Sequence, residues 1–274
     1  MTDGIPDSQP RTVTPVSGRP RVVLLMTATI TPRAGVKTQI ADPVARRADY
    51  RKALVHYASA LGSGIDEILF VENSGSDIDE LRQAVPDTRC RFIVFDAVDD
   101  VPAYGYGYGE FHLLQHAMDV VGRDYDDALF VKVTGRYIVR NLLDFVAIAR
   151  GADLVCDVRN HRQPWADMRV MAWSRRGFDA VLRDRYPLLR DDVNRLPPEM
   201  ILSHEILRSE GLVRKTFLPF ELDVEGRRGM DDKDWSRGSL WLKKATRAGL
   251  RPIEHALRLY PGARGDRASG RAVA

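Results

Sequence analysis

The apolar positions of this chain fall into short unbroken runs separated by amphipathic stretches. The first run, residues 21–30 (RVVLLMTATI), is continuous and rich in β-formers, as expected of a central parallel strand buried on both faces. A polar loop follows, and then VARRADYRKALVHYASAL reads as a helix beginning at Pro43. Asp42 is placed to cap it, and Val44, Leu54, Tyr57 and Leu61 are expected on its inner face. Further strands are predicted at 65–71, 91–95 and 128–133. A short helix is predicted over 77–85, and a longer one after the glycine stretch YGYGYG at 104–109, with Leu113, Leu114, Ala117, Val120 and Val121 on its apolar side.

The second half continues the alternation. A helix over 142–150 precedes a strand at 153–156 that ends at Asp157, and RVMAWS (169–174) is a strand leading to a helix over 176–183. Pro197, Pro198 and Glu199 open a helix that Gly211 closes, and 214–220 is a last strand candidate. The segment 225–241 is charged, glycine-rich and holds two tryptophans, and reads either as a loop over a site or as a plain connection. A helix over 240–248 ends the pattern. Strand–helix alternation of this kind predicts a three-layer, nucleotide-binding α/β domain with a mostly parallel central sheet. One such domain is expected over 21–260, with a disordered leader at 1–20 and a flexible basic tail at 261–274.

Composition narrows the function classes. The chain has 274 residues, 44% hydrophobic and 29% charged, which suits a folded domain with a sizeable core. A net charge of +3 gives no argument for a nucleic-acid partner. No apolar run reaches the roughly 18–20 residues of a membrane span, and the polar, proline-rich start lacks the apolar centre of a signal peptide. Cys90 and Cys156 stand alone in or beside apolar runs, as packing residues of a reducing, cytoplasmic compartment.

Candidate chemistry gathers at 104–141. The strand at 128–133 leads into Lys132, Thr134, Arg136 and Tyr137, and in open α/β sheets the carboxyl end of a strand is where ligands bind. Alternation puts Lys132 and Thr134 on one face, so Lys132 is partly buried and needs an anion: a diphosphate, or a carboxylate such as Asp96 or Asp157. The glycines Gly105, Gly107 and Gly109 do not fit G-x-G-x-x-G, yet Gly107 and Gly109 suit a ligand-facing loop ahead of a helix. The alternative is that they only shape a turn. His112 and His116 are four apart, with Glu110 as the one nearby third ligand. The spacing is not that of a known zinc motif, and one core and one surface histidine is the favoured account. Arg46, Arg47 and Tyr50 share faces of the first helix, either as a solvated surface or as ligand contacts. There is no G-x-S-x-G elbow and no P-loop.

Four pieces in order, the opening strand with TATI, D-P-x-x-R-R-x-D-Y (Asp42 to Tyr50), the ENSG that ends the second strand (Glu72 to Gly75), and Y-G-x-G-E followed by KVTGRY (Lys132 to Tyr137), resemble bacterial GT-A-type glycosyltransferases of polysaccharide biosynthesis. The resemblance covers 21–141 and continues only in outline. It implies a GT-A-like fold and transfer of a sugar from a nucleotide-sugar donor to a hydroxyl of a glycan or glycolipid acceptor, with peripheral membrane contact allowed. It also implies that Thr27, Thr29 and Asn73 flank the nucleotide base, that Arg46, Arg47 and Tyr50 lie on the donor side, and that Tyr137 bonds to or stacks on the donor. Glu199 stands where inverting enzymes of this kind carry their general base, with His204 and Glu205 as substitutes. The metal-binding D-x-D that usually ends the fourth strand is replaced by Lys132 and Arg136. Those cations are therefore expected to meet the departing diphosphate without a required cofactor, and a divalent Mn or Mg ion held by Asp96, Asp99 or Asp231 is the rival account. A sugar nucleotidyltransferase and a non-catalytic nucleotide-sugar-binding module are the competing functions.

Overall fold

A computed structural model describes residues 18–34, 38, 40–97, 101–159, 164–194, 196–209, 211–216, 218–227, 242, 245–246 and 248–250. Of the expected helix over 240–248, residues 242, 245, 246 and 248 are described and are helical, whereas most of the 225–241 segment, Asp99, Asp231 and both chain ends lie outside the described residues.

Strand β1 (Val22–Ala28) sits at the centre and is buried along its whole length. Its side chains alternate between two cores, as the period of two requires. Val22, Leu24 and Met26 pack on one face with Tyr50, Leu54 and Tyr57 of helix α1 (Pro43–Ala58) and with Phe145 and Val146 of a later helix. Val23 and Leu25 face the other core, shared with Leu113, Leu114, Ala117 and Met118. Burial on both faces is why 21–30 shows no polar alternation.

The chain continues through β2 (Glu67–Glu72), α2 (Asp79–Ala84), β3 (Cys90–Val94), α3 (Val101–Val121), β4 (Leu129–Thr134), β5 (Ile138–Val139) and α4 (Leu142–Ala149). Then come β6 (Leu154–Arg159), β7 (Trp165–Ser174), α5 (Arg175–Gly177), α6 (Pro198–Arg208), β8 (Lys215–Thr216) and β9 (Val224–Glu225). The main sheet has seven strands in the order β3-β2-β1-β4-β7-β6-β8. Every pairing in it is parallel except the two made by β7. This is the mostly parallel, three-layer α/β architecture expected from the alternation.

Two consequences of this topology place the site. Because β7 is antiparallel to β4, its start lies beside the carboxyl end of β4, with Val170 opposite Val133. A separate two-stranded ribbon, β5 with β9, closes the same edge. The ribbon is too short to show in the hydrophobic pattern.

Two sequence expectations need correction. The glycine stretch is not a loop, because it lies within α3, which is broken only at Gly105 (φ 85°, ψ 175°). The inner face of α1 includes Arg46 and Tyr50, whereas Val44 is 76% exposed because it stands in the first turn beyond the edge of the core. The cap itself is as expected, with Asp42 accepting from the Val44 and Ala45 amides.

Candidate active site

The carboxyl edge of β1, β2 and β4 is built from interlocked polar side chains. Glu72, fully buried, accepts from the Ile30 amide at 2.9 Å and from the Ser74 and Ser76 amides. Tyr50 Oη accepts from the Thr29 amide at 2.9 Å, and Ser74 Oγ from the Thr31 amide at 3.1 Å. Three successive amides after β1 are thus already occupied by side chains. Arg46 lies underneath, donating to the Thr29 carbonyl at 2.6 Å, to the Ile40 carbonyl at 3.0 Å and to Tyr50 Oη at 3.2 Å. Thr29 Oγ1 donates to Asn73 Oδ1 at 2.6 Å.

The expected donor-side residues Thr29, Arg46, Tyr50 and Asn73 are therefore brought together. Arg46 and Tyr50, however, are buried and face the loop backbone. Arg47 is half-buried, and no hydrogen bond or ion pair of its side chain occurs among the described residues.

Lys132 is fully buried, and its partner is neither Asp96 nor Asp157. Its ammonium lies 2.5 Å from Glu110 Oε1, donates to Thr134 Oγ1 at 3.2 Å and also donates to the Met168 carbonyl. Thr27 and Thr134 hydroxyls donate to the same Glu110 oxygen at 3.2 Å each. Lys132 lies on the α3 side of the sheet because Val131 and Val133 take the other side. The spacing of Lys132 shows that it must find an anion. That the anion is 22 positions upstream is tertiary information.

Arg136 is the arginine that, among the described residues, has more than one buried nitrogen without a hydrogen-bond partner. It follows Gly135, whose missing Cβ would otherwise stand 2.6 Å from the Thr27 carbonyl. Its Nε and Nη1 are buried without a hydrogen-bond partner, and its guanidinium carbon is 6.0 Å from the centre of the Tyr137 ring. It makes no ion pair with Asp157. Tyr137 is buried in the core below, close against Gly226.

Glu199 opens α6, half-buried, and accepts from Tyr106 Oη at 2.8 Å. Burial raises its pKa above the ordinary glutamate value, the Tyr106 hydrogen bond lowers it, and the nearby charges of Glu110 and Asp167 add to the rise. Of the substitutes, His204 is exposed, and Glu205 is tied to Arg185 at 3.1 Å and Arg208 at 3.4 Å. Asp167, buried at the start of β7, is bound through two oxygens by Arg169. Asp167 and Arg169 escaped the sequence reading because no local motif marks them, and Tyr106 and Glu110, which begin and end the Y-G-x-G-E element, carry no local sign of these partners. They are joined to Lys132 and Glu199 only by the packing of α3 and β7 on β4.

The glycines of α3 serve packing. A Cβ on Gly105 would stand 2.3 Å from the Asp191 carboxylate, and one on Gly107 would stand 2.3 Å from Pro198 Cβ. Gly109 is buried inside the helix. His112 and His116 are both half-buried in an aromatic cluster, His116 stacked on Phe95 with ring centres 3.9 Å apart, so neither is a plain core or surface residue. Burial lowers the pKa of each.

A divalent ion does not fit the end of β4 as built. Glu110 is held by Lys132, Asp96 by Arg33 at 2.6 Å and Asp167 by Arg169. Among the described residues no group of three or more His, Cys, Asp or Glu side chains is arranged to hold a metal. No helix among them is long and apolar enough to cross a membrane.

No protein-family model and no curated protein matches the chain. Solved structures do. One is a protein from Desulfovibrio desulfuricans G20 described as a nucleotide-diphospho-sugar transferase, with 15% identity, 87% of this chain and 97% of that one covered, and a TM-score of 0.45. Another is the inositol-1-phosphate CTP transferase from T. maritima, with 14% identity, coverage of 84% and 97%, and a TM-score of 0.47. A third, from Bacillus anthracis, is described as a glucose-1-phosphate thymidylyltransferase, with 13% identity, coverage of 83% and 94%, and a TM-score of 0.39. Likeness at this level carries no residue role across to the present chain.

Proposed function

We propose that the protein transfers a sugar from a nucleoside-diphosphate sugar to a hydroxyl of a glycan or glycolipid acceptor. The observation that carries this reading is Arg136: two guanidinium nitrogens, buried and unpaired, at the carboxyl end of a central strand. Leaving such groups without an acceptor costs about 1–3 kcal/mol. A planar, always-charged fork is matched by phosphate oxygens, which it can grip through two bonds at once. Lys132 has spent its three donors inside the protein, so its part is to hold Glu110 and the sheet edge, while Arg136 meets the diphosphate.

In this reaction the acceptor oxygen forms a bond to the anomeric carbon, and the bond from that carbon to the diphosphate breaks. The leaving group takes the electron pair, and Arg136 stabilises its added charge. Glu199 takes the acceptor proton. It is the carboxylate of the three nearby whose partner is a neutral phenol rather than a cation, which leaves it able to act as a base. Thr29 and Asn73 offer the nucleotide side its polar contacts. No step depends on a metal.

The occupied amides after β1 favour sugar transfer over the rival nucleotidyl transfer. A nucleotidyltransferase needs the loop after its first strand to cradle a triphosphate through free backbone N–H groups. Here the Thr29, Ile30 and Thr31 amides are all bonded to side chains. The test is to supply nucleoside-diphosphate sugars, and separately a nucleoside triphosphate with a sugar 1-phosphate. Release of nucleoside diphosphate from the first supports the proposal. Release of pyrophosphate from the second overturns it, and donor binding without any consumption would make the protein a binding module.

A further inference from the structure

The stretch YGYGYG is singled out by the sequence, yet the reaction above makes no use of it. In the fold Gly105 faces Asp191, ahead of α6, and Gly107 faces Pro198 at the start of α6. Gly105 breaks α3 in a left-handed conformation (φ 85°) that glycine adopts without strain, and the Asp191 carboxylate occupies the space a side chain would need. The Asp191 amide in turn donates to the Tyr104 carbonyl at 2.9 Å, satisfying backbone at the break. One residue past the break is Tyr106. One further residue on, Gly107 lets the α3 backbone approach Pro198, the first residue of α6. Glu199 is the next residue of α6. Break, close approach and hydrogen bond thus converge on one carboxylate.

We infer that this glycine-spaced segment is a positioning device for the base, in which Tyr106 fixes one oxygen of Glu199 and leaves the other to the acceptor hydroxyl. The inference rests on the reading of Glu199 as that base. Tyr106 donates to Oε2 at 2.8 Å, and no other side chain donates to this carboxylate among the described residues. The groups around it are Tyr106 and Glu110 on α3, Asp167 on β7 and, beside Tyr106, Asp191. Lys132 and Arg169 neutralise Glu110 and Asp167. Burial and the Glu199 charge both raise the Tyr106 pKa, so the phenol keeps its proton and remains a donor wherever Glu199 is ionised. Its hydrogen bond favours the carboxylate form and opposes the rise caused by burial.

Tyr106→Phe removes the donor and keeps the ring. The direct readout is the carbon-13 titration of the Glu199 carboxyl carbon in the intact protein, assigned by its loss in Glu199→Gln. The signal is expected to titrate above ordinary glutamates in the wild type and at still higher pH in Tyr106→Phe. A Tyr106→Phe titration superimposable on the wild type overturns the inference, whether or not any donor is turned over. In the transfer assay the acid limb of the kcat profile is expected to move to higher pH. kcat is expected to fall roughly ten- to hundredfold, the worth of one hydrogen bond to a charged group, with donor KM unchanged. If the titration shifts and no sugar is transferred by the wild type, the positioning device stands and the reaction assigned to Glu199 fails. If sugar is transferred and kcat and its profile are unmoved by Tyr106→Phe, the device fails alone.

Discussion

Two arginines show how burial separates structure from ligand binding. Arg46 is buried with every guanidinium nitrogen bonded to protein, whereas Arg136 has two buried nitrogens bonded to nothing. Arg46→Ala removes three bonds that hold the loop after β1 and is expected to cost roughly 2–4 kcal/mol of stability in chemical denaturation. Arg136→Ala loses no protein bond and is expected to melt at or slightly above the wild-type temperature. Its affinity for a nucleoside diphosphate, read by calorimetry, should fall about tenfold or more. An Arg136→Ala protein that is destabilised with unchanged affinity would assign Arg136 to the scaffold.

Glu199 gives a pH-dependent expectation with a definite sign. Its pKa is raised in the folded protein, chiefly by burial, so folding favours its protonated form. Stability from this group is therefore full below the ordinary glutamate pKa and is lost as pH rises through the raised folded value. Glu199→Gln is expected to be at least as stable as the wild type at neutral pH, with the advantage vanishing in acid. The same substitution should lower kcat by ~10²–10⁴, the usual worth of a general base. In the wild type, activity should fall with decreasing pH at a point above the ordinary glutamate range. A rate within a few-fold of wild type would remove Glu199 from the mechanism.

At the scale of elements, the ion pair between Glu110 of α3 and Lys132 of β4 ties a helix to the sheet below the site. Glu110→Gln leaves a buried ammonium without its counter-charge and is expected to cost about 3–5 kcal/mol. The double variant Glu110→Leu with Lys132→Met removes both charges and should recover most of that loss. Denaturation of the single and double variants measures this directly, and a double variant no more stable than Glu110→Gln would show that the pair is not the source of the cost.

This pair also marks what the sequence could convey. Elements built on long apolar runs or capped helices, such as β1, α1 and β4, were legible because burial on two faces and the Asp42–Pro43 start leave local patterns. The need of Lys132 for an anion was legible from alternation. The identity of that anion was not, because Glu110 reaches it only when α3 packs on the sheet. The glycines misled for a related reason: alternating Gly and Tyr suits a ligand loop as well as a helix pressed against a neighbour, and only contact with Pro198 and Asp191 distinguishes them. The β5–β9 ribbon pairs two residues from each strand across a long separation in sequence, too little for any periodicity.

For the whole molecule, the mixed seven-stranded sheet collects the carboxyl ends of β1, β2 and β4 and the start of β7 along one edge. Among the described residues that edge holds Arg136, with two buried guanidinium nitrogens unpaired, and Glu199, whose side-chain donor is a phenol, and the proposed reaction assigns them diphosphate departure and proton removal. In the proposed reaction Arg136 at the strand end does the work of a divalent ion, whose approach its charge would oppose. The most direct test of the whole account is nucleoside diphosphate release from a panel of nucleoside-diphosphate sugars in excess EDTA, comparing wild type with Arg136→Ala. The account predicts that the wild type consumes at least one donor under chelation and that Arg136→Ala does so at least tenfold more slowly. Release abolished by EDTA and restored by manganese, or an Arg136→Ala protein as fast as wild type, would contradict it.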